Sequence, residues 1–364
     1  MPEGHGVPIL RRVTARAKTL GDRFRSQGAE DCPKPETHFA RTADGWKIAL
    51  YRYAKADAST RPGHPPILLC HGLGANRYNL DAPGNMSLAR WLWRRGFECW
   101  LVELRGAGNS SRPRLFNRLR YDWNFDHYVK QDIPAALKLI RSVTRQDHVH
   151  WIGHSMGGMV AYAYLMLRAV RGQPPRIRSL VTIASPSMHH TAHPGLDRIV
   201  FLRHVLRVLP KIPYGAPTKL LVPFMPIAKH ALGFVFGNPK NLRTTDLAKL
   251  AWLVPQDLPP TLLAQFLDWY AQRGFADDYQ DVEYFRELHR ITTPTLVVAG
   301  SDDRLSPPKD MEHVYRTLSS DEKKLMVFGK ATGCRHEYGH IDLVLGAHAP
   351  EEVFPHVLSW IDAH

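Results

Sequence analysis

The sequence predicts an α/β fold: a mostly parallel central sheet, helices on both of its faces, and a helical segment inserted between two strands. Three observations predict it. Short apolar runs of strand length, such as Ile67-Leu68-Leu69-Cys70 and Val149-His150-Trp151-Ile152, stop abruptly at glycine or a turn. These runs alternate with helical segments, as strands joined by crossovers do. From Ser185 to about Arg290 the alternation stops, leaving proline-punctuated helical segments.

The elements follow in order. Ile9, Val13, Ala17, Leu20 and Phe24 recur at spacings of three and four among Arg11, Arg12, Arg16, Lys18, Arg23 and Arg25, so residues 1–35 read as a basic amphipathic segment. His38 to Ala54 holds two extended runs around Asp44-Gly45, a hairpin signal. The run from Pro66 into His71-Gly72 reads as a buried parallel strand, Ser87 to Arg95 as a helix, and Glu98 to Glu103 as another strand. That strand runs into Arg105-Gly106-Ala107-Gly108-Asn109-Ser110. The loop lacks the third glycine and the strand-to-helix context of a dinucleotide site, so no nucleotide is expected there. Tyr128, Ile133, Leu137, Ile140 and Val143 space out as a helix, with Asp132 and Pro134 near its start or a kink. A strand ending at Gly153 precedes a helix over Met159 to Val170. Ser179 to Ala184, Thr295 to Ala299 and Lys324 to Phe328 read as strands, and Pro350 to Ala363 as the last helix. A core of residues 36–186 and 291–364 is therefore expected, with residues 187–290 as a helical cap.

Composition narrows the class. At 44% hydrophobic and 23% charged residues, the chain is neither disordered nor fibrous. A formal net charge of +14 admits nucleic acid, anionic membrane surfaces and acidic substrates as partners, but the charge is dispersed, which fits simple solubility, and no nucleic acid is expected. Cys32, Cys70, Cys99 and Cys334 form no CxxC pair, which fits reduced structural thiols. With no apolar secretory segment near Met1, a cytoplasmic protein is expected, peripheral to a membrane at most. The best candidate for a spanning helix, Leu220 to Phe236, is broken by Pro223, Pro226, Lys229 and His230.

The chemistry centres on Gly153-His154-Ser155-Met156-Gly157-Gly158, where a strand-like run meets a helical one. A serine at such a turn is held with its oxygen exposed at the end of a sheet. Ser155 is the candidate nucleophile. A hydroxyl needs a base within reach, an orienting carboxylate, and donors aimed at the developing oxyanion. Asp302 and Asp303 compete for the carboxylate, just past a strand end. His340 is the candidate base, with His336 its nearest rival. The N–H of Met156, at a helix start, and that of Leu73, in His71-Gly72-Leu73-Gly74, are the candidate oxyanion donors.

These motifs, with Gly300-Ser301-Asp302-Asp303 and Gly339-His340, resemble the α/β-hydrolase superfamily from about Glu36 to the C-terminus, except in the cap. Phe125-Asp126, Asp132-Ile133-Pro134-Ala135, and Asp342 two residues after His340 look like its acid-lipase branch. The resemblance implies the α/β-hydrolase fold and the order Ser, Asp, His. The superfamily spacing selects Asp303 over Asp302. It implies Ser155 as nucleophile, His340 as base, Asp303 as orienter, and Leu73 and Met156 as oxyanion donors. No metal or organic cofactor is required. The expected reaction is hydrolysis of a carboxylic ester, small or lipid. An acyltransferase or thioesterase would use the same triad, and a non-catalytic lipid-binding module is the further alternative. Relatives with cysteine or aspartate as nucleophile are disfavoured by Ser155. Arg198 to Arg243 carries eight arginines and lysines and no acid among apolar residues. The cap is accordingly expected to admit acyl chains and to favour anionic interfaces.

Overall fold

The computed structural model describes residues 24, 32–55, 63–114, 117–187, 194–277 and 282–364. Their strands form one sheet in the order β1-β2-β4-β3-β5-β6-β7-β8. The strands are β1 Glu36–Arg41, β2 Lys47–Tyr53, β3 Ile67–Cys70, β4 Cys99–Glu103, β5 Val149–His154, β6 Ile177–Ile183, β7 Thr295–Gly300 and β8 Lys323–Phe328. The hairpin around Asp44-Gly45 forms as expected: β1 and β2 pair antiparallel and Gly45 turns at φ 86°. β2 also pairs antiparallel with β4, and every later pairing is parallel.

Side chains alternate between the faces of a sheet, and both faces here are covered. Leu68, Cys70, Trp100 and Trp151 pack on one side against helices Ile133–Thr144 and Met156–Val170. Ile67, Leu69, Leu101 and Ile152 pack on the other against Leu88–Trp93 and Phe354–Ala363. This two-sided burial is why the inner strands β3, β4, β5 and β7 read as mostly apolar runs. Helix Met156–Val170 is buried on every side over its first twelve residues, Met156 to Leu167.

Two predicted helices come in pieces. Phe125–His127 passes through a wide π turn, Tyr128–Asp132, into Ile133–Thr144. Pro134 has no N–H to give the carbonyl four residues before it, so the α-helical ladder cannot run through. The last helix divides into Ala349–Glu352 and Phe354–Ala363 around Val353, next to Pro355. Between β6 and β7 the described elements are helices and turns, with an isolated bridge from Ile212 to Leu258. All four cysteines are unpaired. No described helix is long and apolar enough to cross a membrane. The amphipathic repeat predicted in residues 1–35 lies outside the described residues, apart from residue 24 and its last few positions.

Candidate active site

The carboxyl ends of β3, β5 and β7 lie along one edge of the sheet, the edge where open α/β sheets place their sites. β5 ends at Ser155, whose backbone sits at φ 53°, ψ −122°. A non-glycine residue held there costs on the order of 1–3 kcal/mol. Close packing holds it. A Cβ on Gly153 would run into the Gly158 backbone, one on Gly157 into the Cys70 carbonyl, and one on Gly158 into Ser185. The Ser155 N–H donates to the Ile183 carbonyl at 2.8 Å. The glycines around Ser155 therefore let the helix start directly against the ends of β3 and β6.

The Asp303 loop follows β7. Its Oδ1 accepts the N–H groups of Leu305 (2.9 Å) and Ser306 (2.8 Å). Its Oδ2 meets His340 Nδ1 at 2.9 Å, with both residues buried. Because a carboxylate accepts, Nδ1 carries the hydrogen and Nε2 presents a lone pair. Asp302 is placed differently: its side chain is about half exposed and faces Arg304 at 3.5 Å. Its backbone N–H donates to the Tyr338 carbonyl at 2.9 Å, fastening the acid loop to the base loop. His336 packs against the His348 ring, away from Asp303. Of the two competing acids, Asp303 is thus the one paired with an imidazole, and of the two competing imidazoles His340 is the one paired with an acid.

The loop after β3 passes close over Ser155. A Cβ on Gly72 would come within 3.3 Å of the Ser155 Cβ, and Gly74 adopts φ 63°. Among the described residues, the N–H groups of Leu73 and Met156 donate to no other protein group. His71 underpins this loop: its Nδ1–H donates to the Gly72 carbonyl (2.8 Å) and its Nε2 accepts the Leu104 N–H (3.2 Å). Burial pushes its pKa down to about 4, so it is neutral at pH 7.

Two supporting residues were not singled out from the sequence. Asn79 Oδ1 accepts the Gly72 N–H (2.9 Å) and lies 3.0 Å from His154 Nδ1. His154 Nε2 donates to the His340 carbonyl at 3.0 Å. These contacts run from the Gly72 loop through the turn at Ser155 to His340. Burial, and then the charge of His340, push the His154 pKa down to about 3. His154 was visible only as the variable position of the pentapeptide. Asn79 carried no local signal at all.

The Ser155 hydroxyl makes no hydrogen bond to the His340 imidazole among the described residues. Also among the described residues, no group of three His, Cys, Asp or Glu side chains is arranged to hold a metal.

Residues 65–332 match the model of a family described as the alpha/beta hydrolase fold. Triacylglycerol lipase 1 of Arabidopsis thaliana is 23% identical, over 90% of this chain and 86% of its own. Lipase member K of Homo sapiens is 24% identical, over 90% of this chain and 88% of its own. A solved structure of a thermophilic esterase from Thermogutta terrifontis superposes with a TM-score of 0.59 at 17% identity, covering 90% of this chain and 98% of that one.

Proposed function

The chain belongs to the α/β-hydrolase fold family, and on that premise we propose that it is a serine hydrolase that cleaves carboxylic esters through an acyl-enzyme on Ser155. The observation that carries this reading is the buried 2.9 Å pairing of Asp303 with His340, whose carbonyl bonds His154, the residue before the strained Ser155. Full-length similarity to lipases supports the ester class.

His340 Nε2 takes the Ser155 proton as Oγ attacks the acyl carbonyl. Asp303 holds the imidazole in the tautomer that leaves Nε2 free to accept. It also stabilises the imidazolium that forms. The carbonyl oxygen becomes an oxyanion against the Leu73 and Met156 N–H groups, and loss of one such donor typically costs about 2.7–4 kcal/mol of barrier. The tetrahedral intermediate collapses, the leaving alcohol takes the proton from His340, and Ser155 keeps the acyl group. Water, deprotonated by the same base, then releases the acid.

Ser155→Ala is expected to abolish both hydrolysis of p-nitrophenyl butyrate and labelling by a fluorophosphonate. Activity retained at the wild-type level in that variant would refute the assignment.

Lipid esters are the proposed substrate class, and residues 187–290 the cap that receives them. Phe201, Val208, Leu220, Phe224 and Ile227 of this region are largely exposed. Its positive charge is less open than the sequence suggested, because Arg203 and Arg207 pair with Asp268 and Lys211 pairs with Asp257. Lys219 and Lys229 make no ion pair among the described residues. Exposed apolar groups beside such cations suit contact with an anionic lipid surface.

A further inference from the structure

We propose that helix Thr244–Leu253 is a fixed strut between the two catalytic loops, and that Asp342 and Asn76, which fasten its ends, are positioning residues for the base and for the oxyanion donors. The proposal rests on the ester-hydrolase reading and adds to it what holds the site's two halves at their working separation.

At the amino end, the segment leading into the helix is bound to the base loop. Buried Asp342 accepts the Gly339 N–H (3.0 Å) and the Asn238 N–H (3.1 Å) on Oδ1, and Asn241 Nδ2 (2.6 Å) on Oδ2. The Glu337 carbonyl accepts both Asn238 Nδ2 (2.7 Å) and Asn241 Nδ2 (2.9 Å). The Ala347 N–H donates to the Asn241 carbonyl at 2.8 Å. Gly237 and Gly339 let the two backbones meet: a Cβ on Gly339 would lie 2.6 Å from the Gly237 Cα. His340 is the next residue in the chain.

At the carboxyl end, the helix is bound to the oxyanion loop. Asn76 Nδ2 donates to the Leu253 carbonyl at 2.7 Å, while its Oδ1 accepts the Tyr78 N–H at 3.0 Å. The Gln256 N–H donates to the Gly74 carbonyl at 2.8 Å, and Gln256 Oε1 accepts the Gly108 N–H at 3.1 Å. Leu73 is the next residue before Gly74.

Between these ends the helix buries Leu247, Leu250 and Leu253, so it is also seated along its length. At about 1.5 Å per residue its ten residues span roughly 15 Å. The described residues before Gly237 differ. That stretch leaves Val208 and Ile227 each 80% exposed. The inserted region is therefore of two kinds, an outward-facing part and a strut fixed to the catalytic core.

Two conservative substitutions cut one end each. Asn76→Asp keeps the oxygen for Tyr78 but sets a carboxylate against the Leu253 carbonyl. Asp342→Asn keeps the shape but turns an amide N–H2 toward that of Asn241. Each is expected to lower kcat on p-nitrophenyl butyrate about tenfold per fluorophosphonate-titrated site, with KM within twofold. The double variant is expected to fall no more than about twofold below the lower single, because a strut released at one end is already slack. Independent effects at sites this far apart would multiply to about a hundredfold. A hundredfold loss, or fewer titratable sites with kcat per site unchanged, overturns the proposal.

Amide hydrogen exchange supplies a readout that needs no activity. Asp342→Asn should raise exchange in peptides covering residues 72–76, and Asn76→Asp in peptides covering 337–342. Changes confined to the mutated end overturn the strut. A wild-type protein that neither hydrolyses esters nor takes the label would instead refute the ester-hydrolase reading, and the exchange experiment would still decide the strut.

Discussion

At the scale of single residues, the nucleophile turn depends on atoms that are absent. Gly157 leaves no room for a methyl group because the Cys70 carbonyl occupies the place. Overpacking of this kind typically costs about 1–3 kcal/mol, and more against rigid backbone. Gly157→Ala is therefore expected to lower the unfolding free energy read from urea titration by that amount and to reduce activity by moving Met156. Unchanged stability would mean that the helix start can shift freely. Ser155, Asp303 and His340 could be proposed from the sequence because each follows an apolar run or a glycine that marks where the chain leaves the sheet. Which of two adjacent acids pairs with His340 was not legible from the residues. It depends on Asp303 turning inward to take two backbone N–H groups while Asp302 turns out toward Arg304. The Asn79–His154 link was hidden for a related reason. His154 reaches the carbonyl of His340 in a distant part of the chain, and no local pattern encodes a contact of that range.

At the scale of elements, the strands were legible almost to the residue, since burial on both faces writes itself as an apolar run. The helices were legible in place but not in continuity. Pro134 and Pro355 interrupt patterns that periodicity alone reads as whole. The helical stretch between β6 and β7 was legible as a break in the alternation, but not in its division into exposed and fixed parts. That division depends on tertiary bonds such as the one from Asn76 to Leu253. The outward part makes a prediction of its own. Phe224 and Ile227 are 61% and 80% exposed. Burying such a side chain in lipid is worth about 1.5–3 kcal/mol. Phe224→Asp combined with Ile227→Asp should lower turnover of an emulsified triglyceride relative to a soluble ester by tenfold or more. Flotation on anionic and on neutral vesicles, at two salt concentrations, should show the matching loss of binding. An unchanged ratio would remove this surface from lipid recognition.

At the scale of the whole molecule, buried titratable groups set the response to acid. Burial pushes His71 and His150 down to about 4 and His154 to about 3. Each takes up a proton on unfolding below the ordinary histidine pKa of about 6.5. Stability from these groups is full above that value and falls as the pH drops toward 4, by up to about 1.4 kcal/mol per pH unit for each. Burial pushes Asp132 and Asp342 up to about 6, and they act in the opposite sense. Their stability is present below the ordinary aspartate pKa of about 4 and is lost as the pH rises through 6. Burial also lowers His127 and His356 and raises Glu103, so five histidines against three carboxylates leave the balance with the histidines. Urea unfolding is thus expected to show stability falling from pH 6.5 to 4. His150→Gln, far from Ser155, should flatten that fall. A wild-type curve that climbs into acid would show the carboxylates dominant. The order of the sheet has a consequence for biosynthesis. β6 pairs with β7, yet about 110 residues separate Ile183 from Thr295. At roughly 5–20 residues per second, a ribosome needs about 5–20 s to make that stretch. Throughout that interval the nascent chain presents an unpaired, apolar parallel edge, a natural target for a cotranslational chaperone.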